Sequence, residues 1–267
     1  MIFILVILII LIIFSIVSGG DERWTDYLKV NDEYYKLINI ATNKNKTTYA
    51  QVTTPEAIKY KAQQLAVIKP RGQHVLVDIG CGDGTLSQEL AKIFNSKLIH
   101  CDIEDNRNAS IIDSGVAFVK IIPRESIISD VKASNPGGLP YIILCSHISH
   151  HDLTFFDYRL RDLAELITPG DYIIIKDHDV VTREHKYQAM LSHIIHEIWE
   201  YEFTSRGQLI NFIEDYEHNP PGSDTPRFHF TSREYIASEL KSLGFRVTPG
   251  SNPTYRDRSY VMHGVKV

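Results

Sequence analysis

Two short stretches hold most of the residues that could move a proton in this chain: S-H-I-S-H-H-D, from Ser146 to Asp152, and K-D-H-D, from Lys176 to Asp179. Histidine is the natural acid–base group near neutral pH, because its ordinary pKa lies close to 6.5. His147, His150, His151 and His178 are therefore the candidate bases, with Lys176 as a candidate cation beside them. Imidazoles also hold metals. His150, His151 and Asp152 could meet His178 across neighbouring strand ends. His193 and His196, by contrast, point about 150° away from the middle of their helix's apolar stripe and read as solvated. On this reading no residue is assigned to a metal.

Both stretches must be placed by strands, and the clearest strand precedes a glycine turn. Val75 to Leu86 reads V-L-V-D-I-G-C-G-D-G-T-L, an apolar run, a tight loop and then a helix from Thr85 to Phe94. Glycine reaches backbone angles closed to other residues and lets a ligand lie against the main chain. The spacing is not G-x-G-x-x-G, since Thr85 stands where the third glycine would be. A second strand, Lys97 to Cys101, is followed at once by Asp102, about 20 residues past the loop, where a doubly wound fold takes ribose hydroxyls.

The D-x-G-x-G-x-G run from Asp78 to Gly84, followed by Asp102, resembles motif I and the acidic strand end of the class I S-adenosylmethionine-dependent methyltransferases. The stretch from Ser146 through Thr168-Pro169-Gly170 to Ile175 is similar to that family's fourth and fifth motifs, so the likeness extends from Val75 to Asp179. It implies S-adenosyl-L-methionine as cofactor. Asp78, Gly80, Cys81, Gly82 and Gly84 would hold its methionine end, Asp102 and Ile103 its ribose, and Ser146 would border it. The acceptor would face His147, His150, His151 and His178. Where the family often offers an acid to the adenine, this chain has Pro123-Arg124-Glu125. Lys176 resembles one member of the Lys-Asp-Lys-Glu set of RNA 2′-O-methyltransferases, but Ser146 stands where that set needs an aspartate.

The remaining elements complete an α/β pattern. Further strands are expected at Val116–Ile122, Tyr141–Cys145 and Tyr172–Ile175, and a closing pair at Phe245–Thr248 and Tyr260–Val267. Helices are expected over Trp24–Ile38, from Pro55 (capped by Thr54) to about Ile68, after the histidine loop, over Glu184–Phe203, and from the capping box Thr231–Glu234 to Leu243. Residues 208–226 read as an irregular insertion, a substrate lid. Together these give a doubly wound, seven-stranded, mostly parallel sheet. The expected division is 1–20 as a transmembrane anchor or signal segment, 21–70 as a helical extension covering one sheet edge, and 71–267 as the methyltransferase domain with an insertion at 204–230.

The 267 residues carry a net charge of −5, which gives no support to a phosphate-binding surface. Three cysteines without metal spacing read as reduced thiols. Met1 to Val17 is almost unbroken Ile, Leu, Val and Phe, about 25 Å as a helix, at the short end of what crosses a bilayer. A retained anchor with the domain facing the cytoplasm makes a small-molecule or lipid-like acceptor the first expectation. RNA is the second, and a non-catalytic binding protein the third.

Overall fold

The computed structural model describes residues 23–43, 54–152, 154–219, 222–250 and 258–267. The apolar segment 1–20 lies outside them. Among the described residues no helix is long and apolar enough to cross a membrane.

In chain order the elements are α1 (Trp24–Val30), α2 (Glu33–Asn43), α3 (Pro55–Leu65), β1 (Val75–Ile79), α4 (Thr85–Phe94), β2 (Lys97–Asp102), α5 (Ala109–Asp113), β3 (Ala117–Lys120) and α6 (Ile128–Ala133). Then come β4 (Tyr141–Ser146), a π-helical turn (Phe155–Arg159) running into α7 (Leu160–Leu166), β5 (Tyr172–His178), α8 (Arg183–Glu200), α9 (Arg206–Glu214), α10 (Arg233–Ser242), β6 (Phe245–Thr248) and β7 (Ser259–Lys266).

The sheet has seven strands in the order β3-β2-β1-β4-β5-β7-β6. β1 to β5 are parallel, and β7 runs antiparallel between β5 and β6. Every residue of β1 is buried, as expected for a central parallel strand covered on both faces. The two-residue pleat divides its side chains. Val75, Val77 and Ile79 join Leu160, Leu163, Ile236 and Leu240 of α7 and α10 on one face. Leu76 joins Ala62, Leu65 and Leu90 of α3 and α4 on the other. The chain leaves β1 toward β2 and β3 and returns past it to β4, so strand order reverses beside β1. Ligands of open α/β sheets bind at the carboxyl ends of the strands at such a reversal.

Several expectations need correction. The stretch from Trp24 to Ile38 is two helices, broken at Asn31–Asp32, where Asp32 turns left-handed at φ 58°. These helices do not cover a sheet edge. Trp24, Leu28 and Leu37 pack with Tyr187, Met190, Ile194 and Ile198 of α8 and Leu209 and Ile213 of α9, in a third apolar cluster that contains no strand residue. The supposedly irregular 208–226 segment begins inside helix α9. The Ser205 hydroxyl caps it by accepting from the Gln208 N–H at 3.1 Å, and Leu209, Phe212 and Ile213 supply its apolar side. The prolines at 220–221 follow that helix rather than preventing it. β3 is shorter than expected, ending at Lys120 before Pro123.

Candidate active site

The glycine turn sits at the carboxyl end of β1 and is locked onto β2: Gly80 N–H donates to the Cys101 carbonyl at 2.8 Å, and Cys81 N–H to the same oxygen at 3.2 Å. Gly80, Gly82 and Gly84 all take positive φ, at 73°, 53° and 77°. Their missing side chains serve different ends. A Cβ at Gly80 would lie 2.7 Å from Ile148 Cδ1, and one at Gly84 would lie 2.8 Å from His100 Cε1, whereas one at Gly82 would meet nothing within 4 Å. Gly80 and Gly84 therefore make room for the protein itself. Gly82 is the one that opens toward a ligand.

Asp102, ending β2, accepts from Gly82 N–H at 2.8 Å and from Ile103 N–H at 2.7 Å. The β2 acid and the glycine turn thus share one rim. Ile103 contributes a backbone donor, while its side chain is exposed. Beyond them Arg107 clamps its loop, with Nε 2.7 Å and an Nη nitrogen 2.8 Å from the two Asp105 oxygens, and Asn108 N–H donates to the Asp83 carbonyl.

Asp78 is buried under the turn, and burial pushes its carboxyl up to about 7; a Ser87 hydroxyl pulls it back and the Asp102 and Asp83 charges push the same way as burial. Burial likewise pushes the Cys81 thiol well up. All three cysteines are free and buried, as their spacing predicts.

The histidine loop leaves β4 at Ser146, which pairs with Lys176 of β5. His147 adopts φ 58°, a left-handed conformation, and its N–H continues the ladder to the Lys176 carbonyl at 2.8 Å. That twist turns the next residues back over the sheet, so that Ile148 packs on Gly80 and His150 is buried against β5. Five histidines meet there. His150 has ring centroids at 4.3 Å (His151), 4.7 Å (His193), 5.1 Å (His178) and 6.1 Å (His147). The Nε2 atoms of His178 and His193 are 3.0 Å apart. Phe230 stacks on His150 at 5.1 Å, and Phe228 packs on His151 and His193 at 5.2 and 5.0 Å.

Asp177 is the hub of this chamber. Fully buried, it accepts from His150 Nδ1 at 2.6 Å, from the His178 N–H at 2.7 Å and from the Ser149 hydroxyl. Burial alone would raise its carboxyl, but the His150 and His178 imidazoles and their hydrogen bonds outweigh it and hold the group below its ordinary value. Burial, then the Lys176 charge and the neighbouring imidazoles, lowers His147 well below the ordinary histidine range. Burial followed by His150 and His178 does the same to His193. Neutral imidazoles are the outcome, and they are the form that accepts a proton or binds a metal.

The structure brings His147, His150, His151 and His178 into one region, together with Asp177 and His193, to which the sequence alone assigned no role. Asp177 stands inside the K-D-H-D stretch without a role of its own in the sequence. By strand alternation Lys176 projects to the opposite face of β5 from Asp177, and it acts on the cluster through its charge. His193, read as solvated, faces into the chamber. At His193 the helix lies against the end of β5, whereas His196, at a similar angle, is exposed as expected. Asp152, considered alongside the histidines, instead accepts from Thr154 N–H and Oγ1 at 2.8 and 2.7 Å, starting the π-helical turn.

No protein-family model matches this sequence, and no curated protein sequence matches it. Solved structures do match its fold. One is an O-methyltransferase family protein from Burkholderia thailandensis, 13% identical, with a TM-score of 0.52 over 91% of this chain and 63% of that one. Another is the pyocyanin biosynthetic protein PhzM, 13% identical, with a TM-score of 0.50 over 95% of this chain and 66% of that one. The chain spans less than two thirds of the length of either. The strand order, the glycine turn after β1 and these matches agree: the chain has the fold of the class I S-adenosylmethionine-dependent methyltransferases.

Proposed function

We propose that the protein transfers a methyl group from S-adenosyl-L-methionine to a small molecule held at the histidine chamber. One observation carries this reading: the open Gly82 and the β2 acid Asp102 share a hydrogen bond at the switch point of the sheet. A carboxylate already gathered to the glycine rim suits a ribose diol, which would take over as its hydrogen-bonding partner. When bound, the cofactor supplies an electrophilic methyl group. Ile148 on Gly80 couples the cofactor rim to the acceptor chamber, so both halves are set by one packing contact.

The chain's part is then positioning and proton removal. His147, kept neutral and one residue from that contact, has a buried Nδ1 with no hydrogen-bond partner and is the group we assign to take the acceptor's proton. Phe228 and Phe230 wall the chamber with aromatic surface, which supports an acceptor with an apolar or aromatic body. The apolar run at residues 1–20 makes membrane delivery of a lipid-like acceptor part of this proposal. No observation favours RNA, because the residue opposite Lys176 on β4 is Ser146 rather than an acid.

The test is calorimetric titration of S-adenosylmethionine and its demethylated product into the full chain. Binding should be weakened at least about tenfold by Asp102→Ala, the loss of one charge-assisted hydrogen bond or more. A folded wild-type protein that binds neither compound overturns the reading.

A further inference from the structure

We propose that His150, His178 and His193 form a binding site for one divalent transition-metal ion of the zinc type, with Asp177 as the carboxylate that orients His150. The three residues come from separate elements: the loop after β4, the end of β5 and the middle of α8. No run of sequence displays them together.

Geometry argues first. His178 Nε2 and His193 Nε2 are 3.0 Å apart, and the His150 ring lies beside both, with its centroid 5.1 Å from that of His178 and 4.7 Å from that of His193. Imidazole nitrogens bound about 2.0–2.1 Å from a tetrahedral zinc lie roughly 3.3–3.4 Å from one another. The His178–His193 pair is already at about that separation. Without a metal, two lone pairs cannot face each other at 3.0 Å, so one of these rings must donate a proton to the other; a cation would replace that shared proton.

Orphaned donors argue second. His150 is 1% exposed, and its Nε2 has no hydrogen-bond partner, which is costly for a buried polar atom. Its Nδ1 is bonded to Asp177 at 2.6 Å. A carboxylate on one ring nitrogen with the other left open is the arrangement that fixes the tautomer and strengthens a metal-binding imidazole. Asp177 also holds the His178 backbone N–H, so one buried carboxylate sets two of the three ligands.

Donor chemistry then selects the metal. Three imidazole nitrogens favour zinc, cobalt, nickel, copper or iron over magnesium or calcium, which prefer oxygen. Three histidines leave a fourth position for a small oxygen ligand. The site goes beyond the methyl-transfer reading and stands without it.

The experiment uses the full chain, purified without a polyhistidine tag and dialysed against a chelator. Cobalt(II) is titrated in while visible ligand-field absorption is followed, zinc is then used as competitor, and metal is counted by mass spectrometry. We expect one cobalt per chain, displaced by one zinc, with His193→Gln weakening binding about 100-fold and Asp177→Asn about 10- to 100-fold. His196→Gln, an exposed position on the same helix, should bind like wild type. His193 is only half buried, so its variant tests the site even where substitution of buried His150 prevents folding; circular dichroism confirms the fold of each. A folded wild type that binds no stoichiometric cobalt, or binding weakened equally by His196→Gln and His193→Gln, overturns the proposal. Neither readout involves S-adenosylmethionine, so a failure here is separate from a failure of the methyl-transfer reading.

Discussion

His100 offers nothing to a ligand, yet it decides the shape of the cofactor rim. Its ring fills the space that a Cβ on Gly84 would need and meets the Ser87 hydroxyl at 2.9 Å. It is fully buried, and burial, followed by the Arg107 charge, lowers its pKa to about 4. Unfolded, the same imidazole titrates near 6.5, so between those values the unfolded chain holds a proton that the folded one refuses. Stability from this group is therefore complete above about pH 6.5 and is lost as pH falls toward 4, by about 3 kcal/mol in all. Asp78, raised to about 7, titrates with the opposite sign across the whole of that window. The comparison must accordingly be made with His100→Gln. Urea unfolding of both proteins from pH 8 to 4 should show the variant gaining on wild type as the solution is acidified; a constant difference would contradict the argument.

At the scale of the element, the glycine turn is a hinge between two packed surfaces, and its glycines are not equivalent. An alanine at Gly82 meets open space and costs only the left-handed backbone, about 1–2 kcal/mol. At Gly80 the same backbone cost is joined by contacts of 2.7 and 2.9 Å with Ile148, and overpacking adds about 1–3 kcal/mol. Gly80→Ala should be the less stable variant, and Ile148→Ala placed with it should recover part of the loss in a double-mutant cycle. Additivity in that cycle would mean the two surfaces are not in contact. The expected functional consequence is the reverse: Gly82→Ala, the milder change to folding, should be the more harmful one to S-adenosylmethionine binding.

At the scale of the whole molecule, the described residues form two apolar bodies. One is the sheet with its covering helices, and the other is the cluster of α1, α2, α8 and α9, anchored by Trp24. Trp24 is 1% exposed, donates from its indole N–H to the Ile213 carbonyl at 2.8 Å, and packs against Tyr187 and Tyr216. Trp24→Ala should cost about 3–5 kcal/mol in urea unfolding. Because no strand residue belongs to this cluster, native-state hydrogen exchange should speed up mainly in α1, α2, α8 and α9, with β1 and β4 amides still protected. Uniform acceleration would show the two bodies to be one cooperative unit. His193 and Phe228 reach the chamber from this second body, so its integrity bears on the acceptor side as well.

Local chemistry made much of this architecture readable from the chain alone. The β-branched runs at Val75–Val77 and Tyr172–Ile175 and the alternating glycines from Gly80 to Gly84 act within a few residues, so their physics is complete in the sequence, whereas α10 is capped by Ser232, one residue past Thr231, the cap that the Thr231–Glu234 box suggests. The order of strand, turn, helix and acidic strand end was enough to place Asp102 beside the glycine rim. Contacts between distant segments were not readable in this way. The helical phase of α8 shows that His193 lies opposite the apolar stripe, but whether water or a strand end faces it depends on how α8 docks. Likewise Asp177 is one polar residue among four until the left-handed turn at His147 brings His150 back across β5. The sequence by itself determined the sheet and the residue types at its carboxyl edge; only tertiary packing brought His150, Asp177, His178 and His193 into one chamber, because partners 15 and 27 residues apart are joined by the fold and not by any local periodicity.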